Sequence, residues 1–281
     1  MSQTSQTGQI PIPQLLEQGL FHHRRGEFQP AMDRYVEVLK RDPQNADALY
    51  YSAVIACAEG QYKEGIDMAR RSLSFRPRQA RVHNLIGKAL AEQNQRKDAL
   101  AAFDEALACD IKFAEAYGNR GNMLCELGRF AEALSSYDRA LEHEPIAANW
   151  LNRGTALDGM GRFDEAIESY DKAIALEPNV PLCYINRAHA LGRAGRHQEA
   201  LATAERAAEV GPKVPHAHLA KAQVLMALGQ PEAALTAVDR TLTLAPKLAE
   251  AHRARAAVLK ALGRAEEAKA SLDQAAALAQ G

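Results

Sequence analysis

Proline recurs along this chain at almost constant spacing. Pro43, Pro77, Pro145, Pro178, Pro212 and Pro246 are separated by 34, 68, 33, 34 and 34 residues, and Ile111 stands at the midpoint of the double interval. A period of that size restricts a chain to stacked copies of one small supersecondary unit, because each copy can bury its apolar face only against a neighbour. Eight units align, at 12–45, 46–79, 80–113, 114–146, 147–180, 181–214, 215–248 and 249–281. They form one expected domain over 12–281, preceded by a flexible N-terminal tail over 1–11 that is rich in Ser, Thr and Gln.

Three columns carry the period. The eighth position reads Gly19, Ala53, Gly87, Gly121, Gly154, Ala188, Ala222, Ala256, and the twentieth reads Ala31, Gly65, Ala99, Ala133, Ala166, Ala200, Ala234, Ala268. Chance agreement of this kind is on the order of 10⁻⁹. Small residues there let two helices approach closely, and larger ones would overpack the contact. The fifteenth position is Gly in seven units and Asn94 in the third, the residue types that tolerate the left-handed backbone ending a helix. Proline at position 32 stops a second helix. With 55 alanines in 281 residues, the composition favours helix. Each unit therefore reads as helix A, turn, helix B, turn. At Ile111 the stop is expected to be less sharp, and one residue is missing near Ile146 and Ala147.

The central units, Tyr117-Gly118-Asn119-Arg120-Gly121 through Ala133, Tyr137, Ala140 and Pro145, and Trp150-Leu151-Asn152-Arg153-Gly154 through Ala166, Tyr170, Ala173 and Pro178, resemble the tetratricopeptide repeat family. The resemblance implies an all-α fold, a right-handed α-solenoid (superhelix) of eight helix-turn-helix repeats with the A helices lining a concave groove. In that family, positions 2, 5, 6, 9, 12 and 13 face the groove. Position 6 holds Asn119, Asn152 and Asn186, and position 9 adds Asn122, Thr155 and His189. An Asn amide donates to and accepts from a peptide backbone at once, so such a column grips an extended chain without reading its sequence. The column is similar to the asparagine ladder in the repeat region of O-linked N-acetylglucosamine transferases. Asn84 and Lys88 extend the candidate groove set. The carboxylate clamp of co-chaperone arrays is incomplete, since the third helix offers Ala148 and Asn152 where cations are required.

A second cationic column, Arg120, Arg153, Arg187, Lys221 and Arg255 at position 7, is expected to cover the seam with its stems and send its heads to solvent or a carboxylate. A stripe that meets an acidic peptide is the alternative. Arg70, Arg71, Arg76, Arg78 and Arg81 cluster at a helix B C-terminus, where they complement its dipole. The nine histidines include no i, i+4 pair, and the four cysteines are at least 16 residues apart, so neither set forms a metal motif. No P-loop, GxSxG or HExxH sequence is present. Lys+Arg is 34 against Asp+Glu 35, a balance that provides no field for nucleic acid or an anionic membrane. No long apolar run or basic leader occurs. The reading is a cytoplasmic, non-catalytic protein-interaction scaffold without cofactor or metal, binding a protein or peptide in extended conformation. Its alternatives are the substrate-recognition arm of a glycosyltransferase and a self-assembling scaffold joined through its terminal repeats.

Overall fold

The computed structural model describes residues 10–280 of the chain. Sixteen α-helices and no strand occur among the described residues. The chain divides into two compact units, Met1–Arg129 and Phe130–Gly281, with the division in the middle of the fourth repeat. The first contains α1 (Ile12–Arg24), α2 (Phe28–Arg41), α3 (Ala46–Ala58), α4 (Tyr62–Phe75), α5 (Ala80–Glu92), α6 (Arg96–Cys109) and α7 (Ala114–Glu126). The second contains α8 (Phe130–His143), α9 (Ala147–Gly159), α10 (Phe163–Leu176), α11 (Pro181–Arg193), α12 (His197–Val210), α13 (Pro215–Ala227), α14 (Pro231–Leu244), α15 (Ala249–Ala261) and α16 (Ala265–Gln280). Odd-numbered helices are the expected A helices and even-numbered ones the B helices.

Turn chemistry sets the boundaries. The seven glycines of the fifteenth column all have positive φ, and Asn94 takes φ 60° in their place. Before the prolines, Asp42, Arg76, Glu177, Gly211 and Ala245 leave helical geometry for extended backbone. Asp110 does the same with Ile111 following it (φ −144°, ψ 101°), so α6 stops in the same register as its counterparts. The proline at that junction is dispensable because the Asp110 carboxylate accepts from the Lys112 backbone N–H at 2.9 Å. The missing residue shortens the α8–α9 turn to three residues. Asn149 braces it, donating to the Glu144 carbonyl at 3.2 Å. Most of the expected tail lies outside the described residues. Of its last two members, Ile10 packs beside Leu15 and Tyr35, and its carbonyl accepts from Arg41 at 2.7 Å.

Packing explains the small-residue columns. A Cβ on Gly19, Gly87 or Gly154 would lie 2.4, 2.5 and 2.5 Å from the buried rings of Tyr35, Phe103 and Tyr170 respectively. Those rings occupy position 24 of the same repeats. Where position 24 is Ala69, Ala204, Val238 or Leu272, position 8 is alanine instead. The two columns exchange volume, so each hairpin reaches native packing density in one of two ways.

Within the units, α2, α4, α6, α10, α12 and α14 each pack between their own A helix and the next. Consecutive A helices also touch, α3 with α5 and α5 with α7 in the first unit, and α9 with α11, α11 with α13 and α13 with α15 in the second. Among the described residues no comparable contact joins consecutive B helices. A stack whose A helices lie closer together than its B helices bends toward the A side. The A helices therefore form the inner wall of each unit.

Candidate functional site

In the first unit, Lys88, Asn119 and Asn122 line a pocket of about 500 Å³ (≈ 510 Å³) between α5 and α7, together with Glu92, Arg96 and Glu126. Asn84 stands behind this wall. It is buried, and its Oδ1 accepts from the Asn119 amide at 2.9 Å. That bond fixes which way Asn119 points, so Asn84 positions its neighbour. Lys88 is paired with Glu115 across the two helices at 3.1 Å, and Arg96 with Glu126 at 2.7 Å. Both pairs are about half exposed, and such pairs order side chains more than they stabilise the fold.

In the second unit, α9 carries Asn152 and Thr155 while α11 carries Asn186 and His189. Asn152 and Asn186 are half-buried, whereas Thr155 and His189 are exposed. The Thr155 hydroxyl donates to the Leu151 carbonyl of its own helix at 3.1 Å. His189 opens on a pocket of about 500 Å³ with Asp158, Gly192, Arg193, His197, Gln223, Val224 and Ala227. Although the ring has an open edge, desolvation by the surrounding wall holds its pKa below the usual histidine value, against a hydrogen bond that the ring donates to Gln223 and the charges of Asp158 and Glu250. Sequence reasoning found His189 but missed the rest of this pocket. The signal was position 12, which is Gly192 here and Ala91 in the first unit's pocket but Cys57, Cys125, Asp158 or Met226 in other A helices.

The position 7 cations turn away from these pockets. Arg120 reaches Asp104 at 2.6 Å, Arg153 reaches Asp138, Arg187 reaches Asp171 and Arg255 reaches Asp239, each at 2.7 Å, and Lys221 reaches Glu205 at 3.0 Å. Every acceptor sits at position 25 of the preceding B helix. Arg153, Arg187 and Arg255 also donate to Ser169, Thr203 and Ser271 of their own B helices. The column is a set of clasps between adjacent B helices. Likewise, Arg76 of the basic cluster is spent on Asp47 in a bidentate pair, and Arg81 lies over the Tyr50 ring. The histidines at position 4 serve the turns, with His218 and His252 within 3.1 and 2.9 Å of the Pro212 and Pro246 carbonyls. Among the described residues, no group of three or more His, Cys, Asp and Glu side chains is placed to hold a metal ion, and no helix is long and apolar enough to cross a membrane.

Models of the tetratricopeptide repeat match residues 22–89, 114–145, 147–180, and 185–249 with 219–281. A probable UDP-N-acetylglucosamine–peptide N-acetylglucosaminyltransferase of Hordeum vulgare, SPINDLY, is 28% identical over 142 residues. That stretch is 48% of this chain and 15% of the transferase, so this chain spans a small part of that relative. Among solved structures, a tetratricopeptide repeat protein from Parabacteroides merdae superposes with a TM-score of 0.65 at 16% identity, over 88% of this chain and 98% of that one. YrrB, described as having an unusual peptide-binding site, gives 0.54 at 22% identity, over 65% of this chain and 95% of its own. At these identities the likeness to the two structures is one of fold.

Proposed function

This chain belongs to the tetratricopeptide repeat family, and from that premise we propose that it is a non-catalytic interaction scaffold of the cytoplasm that holds an extended segment of a partner protein against its A helices. The observation that carries the reading is the polar lining of the inner wall. Lys88, Asn119 and Asn122 line an open pocket of about 500 Å³ on the first unit, with Asn84 buried behind Asn119, and Asn152, Thr155, Asn186 and His189 follow along the A helices of the second, where His189 borders a pocket of similar size. Amide side chains at one level per repeat match the repeating N–H and C=O groups of an extended backbone. The partner is found by affinity capture and mass spectrometry. Replacing Asn119, Asn152 and Asn186 together by Ala then weakens its binding by about tenfold or more, since each net hydrogen bond contributes about 1 kcal/mol, and leaves helicity unchanged. Undiminished affinity for a verified partner would overturn the reading.

The match to the Hordeum vulgare transferase favours a second reading, in which the array selects substrates as an arm of such an enzyme. Co-purification with a glycosyltransferase, and glycosylation of the captured partner that depends on this chain, are its tests.

A further inference from the structure

The B-helix side of the second unit carries a feature that the inner wall does not explain. Cavities of about 400, 480 and 440 Å³ open there between α10 and α12, α12 and α14, and α14 and α16. The three repeat one arrangement. Each has a position 4 side chain and the position 7 clasp cation on its floor, from the A helix beneath, and residues of positions 25 and 26 on its walls. Position 4 is Tyr184, His218 and His252 in turn, and position 26 is Arg206, Arg240 and Gln274.

The preceding repeat shows what this arrangement accepts. There position 4 is Trp150, the chain's one tryptophan, and position 26 is Lys172. Two cations lie over the indole, Lys172 Nζ at 4.2 Å and the Arg153 guanidinium carbon at 5.7 Å from the ring centroid. The ring also packs on the apolar cluster of Ala147, Ala173 and Cys183. Between α12 and α14 the same parts are present without the ring. His218 is smaller than tryptophan, and its Nε2 is turned to the Pro212 carbonyl, 3.1 Å away. Leu201, Leu225, Ala233 and Ala237 give the groove hydrocarbon walls, of which Leu201 is half-buried and Ala233 exposed, so both are open to a ligand. Lys221 is committed to Glu205 at 3.0 Å. Arg240 is exposed and forms no ion pair among the described residues, whereas Arg206 in the neighbouring groove is paired with Glu209 at 2.9 Å.

Charge and surface together decide the occupant. A carboxylate would pair with Arg240 but bring its charge onto hydrocarbon and beside Glu205, at a desolvation cost. An aliphatic side chain would cover the hydrocarbon but give the guanidinium nothing in place of water. An aromatic ring does both, because it packs on methyl groups while its π face attracts the cation. We infer that the groove between α12 and α14 receives the indole of a tryptophan from a partner polypeptide, a second contact surface independent of the inner wall. A second copy of this chain has no indole to offer, since Trp150 is already packed in its own repeat.

The test titrates the full chain, carrying labelled methyl groups, with four probes: N-acetyl-tryptophanamide, N-acetyl-cyclohexylalaninamide, the α-amide of N-acetyl-glutamate, and adenosine. The tryptophan probe shifts the Leu201 and Leu225 methyl resonances saturably and binds at least about threefold more tightly than the other three, as a cation–π contact predicts, with the Leu85 methyls of the first unit unmoved. Arg240→Gln weakens the tryptophan probe by at least about threefold and leaves the cyclohexyl probe unchanged. Ala233→Leu fills the groove with a good helix former and abolishes the response while circular dichroism stays unchanged. No saturable response to the tryptophan probe, equal or tighter binding of any other probe (adenosine would mark a nucleobase site), undiminished tryptophan affinity in Arg240→Gln, or a response that survives in Ala233→Leu would each overturn the inference. None of these outcomes touches peptide capture on the inner wall, which is decided by the triple Asn variant.

Discussion

The pairing of Gly154 with Tyr170 shows how finely a single side chain is specified. The ring is buried at 2% exposure, and a methyl group at residue 154 would lie 2.5 Å from it. Elsewhere in the chain the same two positions are Ala53 with Ala69 and Ala188 with Ala204, so both solutions occur side by side in one sequence. Gly154→Ala gains helix propensity of up to about 1 kcal/mol but overpacks a ring that has nowhere to go, at a cost of about 1–3 kcal/mol. The variant is expected to be destabilised in urea denaturation. In a Tyr170→Ala background, already weakened by about 3–5 kcal/mol, the same Gly154→Ala change becomes neutral or stabilising. A double-mutant cycle reads that reversal of sign directly. Equal effects in both backgrounds would mean that the ring is free to move aside.

Between elements, the clasps make the corresponding argument for stacking. Arg187 of α11 is only 22% exposed and joins Asp171 of α10 to Thr203 of α12. Asp171 is half exposed, so its charge contributes little, and Asp171→Asn is expected to cost less than about 1 kcal/mol. The stem of Arg187 covers apolar surface between helices. Arg187→Met, which keeps the stem, should therefore be nearly as mild, while Arg187→Ala should cost about 1–2 kcal/mol, all read from thermal unfolding. The helices themselves were legible because their determinants are local. Alanine and glycine columns, left-handed turn residues and prolines each act within one hairpin, and α6 ended in register even without its proline because the neighbouring Asp110 carboxylate bonds the turn. The clasps were only half legible, since Arg187 and Asp171 lie in different repeats and their columns are read together only once the stacking is known. Asn84 shows another limit of column reasoning. Its position assigned it to the groove, but the hydrogen bond from Asn119 draws it into the wall. The pocket at His189 was hidden for a different reason, because it is created by the side chain that Gly192 lacks.

For the molecule as a whole, electrostatics follow from where the cations go. The chain carries 34 basic and 35 acidic side chains, and many of the arginines are paired within it. Arg120, Arg153, Arg187 and Arg255 clasp neighbouring helices. Arg162, Arg196 and Arg264 close onto Glu165, Glu199 and Glu267 in the first turns of their B helices. The notion of a cationic stripe presented to an acidic partner fails at this point, because the side chains that would form it already have carboxylates within 3.0 Å. A partner held by amides, imidazoles and apolar contacts should then be almost indifferent to ionic strength. Raising salt from about 0.1 M to about 1 M shortens the Debye length from about 10 Å to about 3 Å. Affinity for the captured partner is expected to change by less than about threefold over that range, measured by calorimetry on the full chain. A tenfold or greater loss would show that exposed charges, such as Arg70, Arg71 and Arg78, carry the recognition in place of the inner wall.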